Sequence, residues 1–143
     1  MALFDFTKKI IQKKSISVFN NGKHLRDFTY VEDVANGVCN ILNHIPVGNK
    51  TFTSSDDPSR SDAPFKIYNI GHGKPIKLMK FISEIEKNLK LKAKIKYLPI
   101  QPGDIEATFA CTKKLIKEIN YKAETTAKVG VKKFIDWYKS YYL

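Results

Sequence analysis

Arg26 is the residue of this sequence best suited by type and place to bind a phosphate. It stands in the segment GKHLRDFTYVED, and lysine supplies all but two of the chain's 25 basic residues. A guanidinium can donate two parallel hydrogen bonds to adjacent phosphate oxygens, which a lysine ammonium cannot do. An ion pair with Asp27 or Asp33 is the alternative interpretation, and residue type alone does not choose between the two.

A second group of polar residues follows a short apolar segment in the sequence PIQPGD. Pro102 and Gly103 predict a turn, which would bring Gln101 and Asp104 out of a strand end. An amide and a carboxylate placed there could hydrogen-bond a sugar or a ribose. An ordinary surface turn in which Asp104 caps the next residues is the alternative, and residue types favour it. Phe19 could offer a flat face to a base, although such an aromatic residue more often belongs to a core.

The sequence holds no catalytic or metal-binding motif. Its histidines lack cysteine or carboxylate neighbours at ligand spacing, and its two cysteines lie far apart without a CxxC pattern (His24, His44, His72, Cys39 and Cys111). No GxSxG sequence and no obvious carboxylate pair is present. The residues by themselves therefore indicate ligand binding and do not define a catalytic centre.

Length and composition exclude several classes of protein. The chain has 143 residues, 43% of them hydrophobic, which suits one packed domain on the prior of roughly 150 residues per domain. No apolar run is long enough for a membrane span and no signal peptide is evident, so we expect a cytoplasmic protein with no membrane partner. The net charge is +11, but the lysines are scattered along the chain. We therefore expect a solvated basic surface and no nucleic-acid partner, with a basic nucleic-acid-binding module as the alternative from another class.

Hydrophobic periodicity predicts an α/β chain with five helices and about four strands. The predicted helices cover residues 2–13, 31–45 and 77–90, with a short helix after Thr112 and a last one after Thr125 or Thr126; the predicted extended segments are 16–19, 26–30, 67–70 and 92–98. Residues 49–64 are predicted to form an exposed loop. One apolar stripe has helical spacing and follows a turn signal (Val31, Val34, Val38, Ile41 or Leu42, and Ile45). With so few strands and no glycine-rich strand-to-helix turn, the chain is either an economical α/β domain or the latter part of a larger one.

Four segments in order resemble the C-terminal part of extended short-chain dehydrogenase/reductase sugar-nucleotide epimerases, and most of all the UDP-glucuronate 4-epimerase group. They are RDFTYVEDVANGV (26–38), IYNIG (67–71), LPIQPGD (98–104) and ETTAKVGVKKFIDWYKSYY (124–142). The resemblance covers essentially the whole chain. It implies an α/β fold, the C-terminal substrate-binding portion of a Rossmann-type enzyme. Residues 1–143 would be the sugar-nucleotide-binding domain, without the dinucleotide-binding core, and the 67–70 strand would complete the sheet.

The same resemblance implies a set of substrate-binding residues and two departures from the family. Arg26 would bind the UDP pyrophosphate, Val18 and Phe19 would border the uracil, and Gln101 and Asp104 would lie beside the ribose and phosphates. Thr108 would lie near a position that gates the sugar pocket. Phe28 stands where galactose-type relatives have tyrosine, and Gln101 stands where they often have arginine.

The implied activity is inversion at C4 of a UDP-sugar, UDP-glucuronate or UDP-galacturonate, through a 4-keto intermediate in capsule or surface polysaccharide precursor synthesis. NAD would be bound mainly by the missing N-terminal half, which would be a partner of this chain, and the complete enzyme would be a homodimer. The chain alone would be inactive. UDP-N-acetylhexosamine 4-epimerases, UDP-glucuronate decarboxylases and dTDP-glucose dehydratases are the alternatives within the same superfamily.

Overall fold

A computed structural model describes residues 2–143. Helices and strands follow one another in the order α1 (Ala2–Ile11), β1 (Ser15–Val18), β2 (Leu25–Arg26), α2 (Val31–Leu42), β3 (Ile76–Lys77), α3 (Leu78–Leu89), β4 (Lys94–Tyr97), α4 (Lys113–Ile119) and α5 (Ala127–Tyr142). A short 3-10 turn, Asn20–Gly22, follows β1. No helix in this range is long and apolar enough to cross a bilayer.

The core forms where a parallel strand pair packs against three helices. β1 pairs with β4 in parallel, from Ser15 opposite Lys94 to Val18 opposite Tyr97. Side chains alternate across a strand, so Ile16 and Val18 point to the same face, and both are fully buried. They pack with the apolar faces of α1, α3 and α5 (Phe6, Ile10, Phe81, Ile82, Ile85, Val131 and Ile135). The predicted helices and strands of this core are therefore present, with ends that differ by a few residues.

A second, smaller strand pair lies beside the core. β2 pairs with β3 in antiparallel fashion, with Leu25 opposite Lys77 and Arg26 opposite Ile76. The predicted extended segment 26–30 is thus a strand only at its first residue, and β3 was missed because two residues are too few to show a period of two.

The predicted strand over residues 67–70 is wrong. These residues form no strand, and the nearest pairing is an isolated bridge between Arg60 and Lys66. A strand needs a neighbouring strand to satisfy its backbone hydrogen bonds, and none within residues 2–143 lies alongside this segment.

Helix α2 exposes the apolar stripe that its sequence predicts. Its buried residues are Asp33 and Gly37, whereas Val31 is 69% exposed and Leu42 is 72% exposed. The helix also ends at Leu42, three residues before the predicted end. Asp33 holds α2 to the rest of the chain, because its carboxylate accepts hydrogen bonds from the backbone N–H and the hydroxyl of Thr125, both at 2.9 Å.

Residues 49–64 contain no helix or strand and are mostly exposed. Glu118 ties residues 60–68 to α4, because it accepts hydrogen bonds from Lys66 and from the Tyr68 hydroxyl and pairs with Arg60 at 3.4 Å. These contacts give an otherwise irregular segment a fixed attachment.

Candidate functional site

Arg26 and Asp104 are in direct contact. Arg26 Nη2 donates to Asp104 Oδ1 at 3.1 Å, while Nη1 donates to the carbonyl oxygens of Leu25 and Glu106 at 3.0 and 3.1 Å. The ion pair with Asp27 or Asp33, one of the two interpretations of the sequence, is therefore wrong in its partner. The side chains of Arg26 and Asp104 are 24% and 32% exposed, so both can reach a ligand from solvent.

The parallel pairing of β1 and β4 brings these residues to one edge of the molecule. Parallel strands end on the same side, and ligands of α/β sheets commonly bind beyond their carboxyl ends. The chain leaves β4 through a turn in which Asp104 N donates to Gln101 O at 3.1 Å. Gly103 in this turn has a φ of +81°, a conformation that favours glycine. The chain then runs beside β2, where Leu25 N donates to Glu106 O and Thr108 N donates to Leu25 O.

Thr108 is held beside Arg26 by a hydrogen bond with the backbone of the following residue, Asp27. Its Oγ1 accepts a hydrogen bond from Asp27 N at 3.1 Å, and the residue is half-buried. The Asp27 carboxylate in turn accepts from the backbone N–H groups of Gly73 and Ala110, both at 3.0 Å. Asp27 and Thr108 therefore fix the path of the backbone on both sides of Arg26.

The remaining predicted site residues differ in their exposure to solvent. Gln101 is exposed, and Phe19 is half-buried at the carboxyl end of β1. The side chain of Val18 cannot border a base, because it is fully buried in the core. The period of two explains this: Val18 shares the inner face of β1 with Ile16. Its carbonyl oxygen is also occupied, since it accepts a hydrogen bond from Leu98 N at 3.0 Å.

His24 belongs to this group of residues and was missed in the sequence. Its side chain is only 4% exposed, and its Nε2 lies 3.2 Å from Asp104 Oδ2. The two atoms are not aligned as a hydrogen bond, so the buried Nε2 has no hydrogen-bond partner within residues 2–143. Its position two residues before Arg26 in an extended segment was a usable signal, because residues i and i+2 of a strand share a face.

Two surface cavities lie around Phe28 and do not include the Arg26–Asp104 contact. They have volumes of about 400 Å³ and 360 Å³, and Phe28 lines both. The Phe28 ring stacks on Phe81, with 3.8 Å between ring centroids and 4° between planes.

The residues present do not form a dinucleotide cradle or a metal centre. The turn at Gly71 and Gly73 is packed against protein, since a Cβ on Gly71 would come within 2.4 Å of the Ala110 Cβ. Within residues 2–143 no group of three or more histidine, cysteine or acidic side chains could hold a metal ion. The turn at Gly71 and Gly73 therefore does not offer the open backbone that a dinucleotide cradle needs.

Shifted pKa values occur in ion pairs and tyrosines away from this site. A hydrogen bond from Lys66 lowers the pKa of Glu118, and a hydrogen bond to Glu32 raises the pKa of Lys133. Burial is the main cause that raises the pKa of Tyr121. These groups connect helices and loops, so their shifts reflect structural contacts, and what Arg26 and Asp104 can do chemically is bind.

Comparison with known proteins shows what this chain is similar to. Residues 1–71 match the NAD dependent epimerase/dehydratase family. Protein CapI of Staphylococcus aureus is 43% identical over 99% of this chain, and UDP-glucuronate 4-epimerase 5 of Arabidopsis thaliana is 38% identical over 99%. The chain matches the C-terminal part of these relatives. It spans 43% of the length of CapI and 33% of the length of the Arabidopsis protein.

Solved structures support the same fold. UDP-glucuronic acid 4-epimerase from Bacillus cereus, in complex with UDP-glucuronic acid and NAD, superposes with a TM-score of 0.78 at 23% identity. The match covers 99% of this chain and 40% of the Bacillus protein. Both the resemblance and the α/β fold of the extended short-chain dehydrogenase/reductase epimerases that the sequence predicted are confirmed.

Proposed function

We propose that this chain is the UDP-sugar-binding part of an NAD-dependent epimerase of the UDP-glucuronate 4-epimerase type. The observation that carries the proposal is the contact between Arg26 and Asp104 beyond the carboxyl ends of β1 and β4. The basic residue and the acidic residue match the two parts of a nucleoside diphosphate, which offers anionic oxygens and ribose hydroxyls. No other arginine lies near, since the second one, Arg60, pairs with Glu118 on α4.

In this proposal Arg26 binds the diphosphate and Asp104 accepts hydrogen bonds from the ribose. The guanidinium already has Nη1 on two backbone carbonyl oxygens, which holds its plane in place. Nη2 carries a second N–H, which can donate to a phosphate oxygen while the first stays on Asp104. A guanidinium held in this way loses little conformational entropy when it binds.

The other contacts are assigned by position along the same edge. Phe19 borders the uracil, and the exposed Gln101 amide donates to the ribose or a phosphate. Thr108 lies near the sugar, where its hydroxyl is held by Asp27 N. Val18 has no side-chain contact in this proposal, because its side chain belongs to the core.

The substrate we propose is UDP-glucuronate or UDP-galacturonate, for a surface polysaccharide precursor. The names of the relatives support it: CapI and UDP-glucuronate 4-epimerase 5 both match 99% of this chain. The reaction would invert C4 through a 4-keto intermediate, with NAD supplying reversible hydride transfer. The residues of this chain bind and orient the sugar nucleotide, and we expect no turnover by the chain alone.

We further propose that the apolar stripe of α2 contacts the part of the enzyme that precedes this region in its relatives. Val31 and Leu42 are 69% and 72% exposed on one helix face, and burying such a side chain stabilises an interface by about 1.5–3 kcal/mol. CapI has more than half of its length outside the match.

Isothermal titration of the chain with UDP-glucuronate tests the proposal. We expect binding by the wild type and a loss of at least about tenfold in affinity for Arg26→Ala, equivalent to about 1.4 kcal/mol. Arg60→Ala is the matched control, because it removes the same charge from an arginine that is also ion-paired, and it should bind as the wild type does. Equal binding by the wild type and Arg26→Ala, or no binding by the wild type, would overturn the proposal.

A further inference from the structure

We propose that the cavity of about 360 Å³ beside Phe28 is a second ligand site, which binds a small phosphate monoester with an apolar organic part. Three lysines line this lysine cavity, Lys74, Lys80 and Lys128, and the apolar side chains of Phe28 and Ile76 line it as well. The inference goes beyond the proposed function, because no residue of the proposed UDP-sugar site lines this cavity.

The three lysines come from three different parts of the fold. Lys74 belongs to the loop before β3, Lys80 to the first turn of α3, and Lys128 to the first turn of α5. All three are exposed, and none forms an ion pair within residues 2–143. Folding therefore brings three cations to one cavity and leaves their charges available to a ligand.

One carboxylate, that of Glu84, also lines the lysine cavity, but its charge is already matched. Its side chain is only 10% exposed, and its Oε1 accepts a hydrogen bond from Nζ of Lys87 at 2.9 Å. Lys87 is not among the residues that line the cavity. The charges of Glu84 and Lys87 thus cancel, and the charges of the three lysines remain.

The charge of the lysine cavity favours a phosphate monoester. A cleft lined by charges of one sign attracts the opposite charge strongly, because its low-dielectric walls focus the field. Lysine ammonium groups bind phosphate as point charges and need no fixed bidentate geometry. A phosphate monoester carries a charge of about −1.5 to −2 at neutral pH. It therefore matches three lysines better than a carboxylate, which carries a single charge.

The apolar wall of the lysine cavity defines the organic part of the ligand. Phe28 is half-buried and stacks on Phe81, and Ile76 and Ala127, which also line the cavity, are half-buried too. Small-molecule sites have volumes of about 300–1,000 Å³, so this cavity lies at the lower end of the range. It suits a ligand of one ring and one phosphate, whereas a UDP-sugar has three rings and a diphosphate.

Titration calorimetry at about pH 8 with three probes tests the proposal. Phenyl phosphate carries a ring and a charge, inorganic phosphate carries the charge alone, and benzyl alcohol carries the ring alone. We expect phenyl phosphate to bind at least about fivefold more tightly than either of the others, because only it contacts both the lysines and the apolar wall. No binding of phenyl phosphate, or binding no tighter than that of inorganic phosphate or benzyl alcohol, would overturn the proposal.

The double variant Lys80→Gln, Lys128→Gln shows where the probe binds. Its affinity for phenyl phosphate should fall at least about fivefold, because two of the three cations are removed. Lys8→Gln, Lys122→Gln is the matched control, since it removes the same charge from two exposed lysines that do not line the cavity. It should bind within about twofold of the wild type. All four substitutions are at exposed positions, and an equal loss in the two double variants would overturn the site.

Arg26→Ala separates this inference from the proposed function. This variant should bind phenyl phosphate as the wild type does, because Arg26 does not line the lysine cavity. Loss of phenyl phosphate binding in Arg26→Ala would place the probe at the proposed UDP-sugar site and overturn the inference. Failure of the wild type to bind UDP-glucuronate contradicts the proposed function alone, whereas failure to bind phenyl phosphate contradicts this inference alone.

Discussion

Arg26 and Asp104 are 78 residues apart in sequence, and Nη2 of the one lies 3.1 Å from Oδ1 of the other. The return of the chain through β4 and then along β2 brings them together. Because Asp104 Oδ2 also lies 3.2 Å from the buried Nε2 of His24, a single carboxylate lies between the partly exposed guanidinium and a buried imidazole.

Arg26→Lys should weaken UDP-glucuronate binding about five- to tenfold, although it keeps the positive charge. A lysine ammonium cannot donate two parallel hydrogen bonds and would also lose the carbonyl contacts that hold the guanidinium plane. Calorimetric titration measures the loss, with Arg60→Lys as the matched control. Wild-type affinity in Arg26→Lys would show that only the charge at this position matters.

Thr108→Val should destabilise the chain by about 1–2 kcal/mol, because it removes the hydroxyl that accepts from Asp27 N. Thr108→Ser keeps the acceptor and should lie within about 0.5 kcal/mol of the wild type. Urea denaturation followed by the fluorescence of Trp137 measures both. If the two variants are equally stable, the hydrogen bond to Asp27 does not hold the backbone beside Arg26.

Glu118→Gln should destabilise the chain at neutral pH by about 1 kcal/mol and much less in acid. The hydrogen bond from Lys66 lowers the pKa of Glu118 below its ordinary value of 4.5. The contribution of this carboxylate is therefore complete above that value and is lost as pH falls through the lower, folded-state pKa.

Urea denaturation of wild type and Glu118→Gln over a falling pH series checks this expectation. The difference between them should shrink as the solution becomes acidic. Glu124→Gln changes an exposed carboxylate before α5 and should match the wild type throughout. A difference for Glu118→Gln that stays constant with pH would contradict the assignment.

The double variant Val38→Glu, Leu42→Glu should bind the N-terminal part of CapI at least about tenfold more weakly than the wild type does. It places charges on the exposed apolar stripe of α2 without touching the core, so the stability of the chain alone should change little. Binding is measured by calorimetry between separately made fragments.

Asn36→Glu is the control for this pair, because it adds a charge to α2 on a different face of the helix. It should bind as the wild type does. If both variants bind equally well, or the wild type does not bind, the stripe does not contact that part of the enzyme.

The sequence predicted the helices and strands that pack against one another in the core of this chain. The helical period found α1, α3 and α5, whose apolar residues are buried against β1. It could not show that the equally regular stripe of α2 stays exposed, because periodicity reports a face and not what covers it. The wrong strand over residues 67–70 has the same cause, since its pairing depends on neighbours that residues 2–143 do not supply.

The candidate site was predictable only in part. Arginine chemistry indicated Arg26, and turn chemistry indicated Asp104, but no local pattern shows that they meet. The prediction for Val18 overlooked the alternation of β1, which points its side chain to the same inner face as that of Ile16. As ligand-binding residues, all five of the others (Phe19, Arg26, Gln101, Asp104 and Thr108) stay predictions.

Amide chemical-shift mapping of the labelled chain with UDP-glucuronate tests the central claim most directly. The account predicts that the shifts which change with ligand fall in residues 18–27 and 98–108, and that Arg26→Ala abolishes those changes. Changes concentrated elsewhere, such as around the cavities beside Phe28, or changes that persist unaltered in Arg26→Ala, would contradict it.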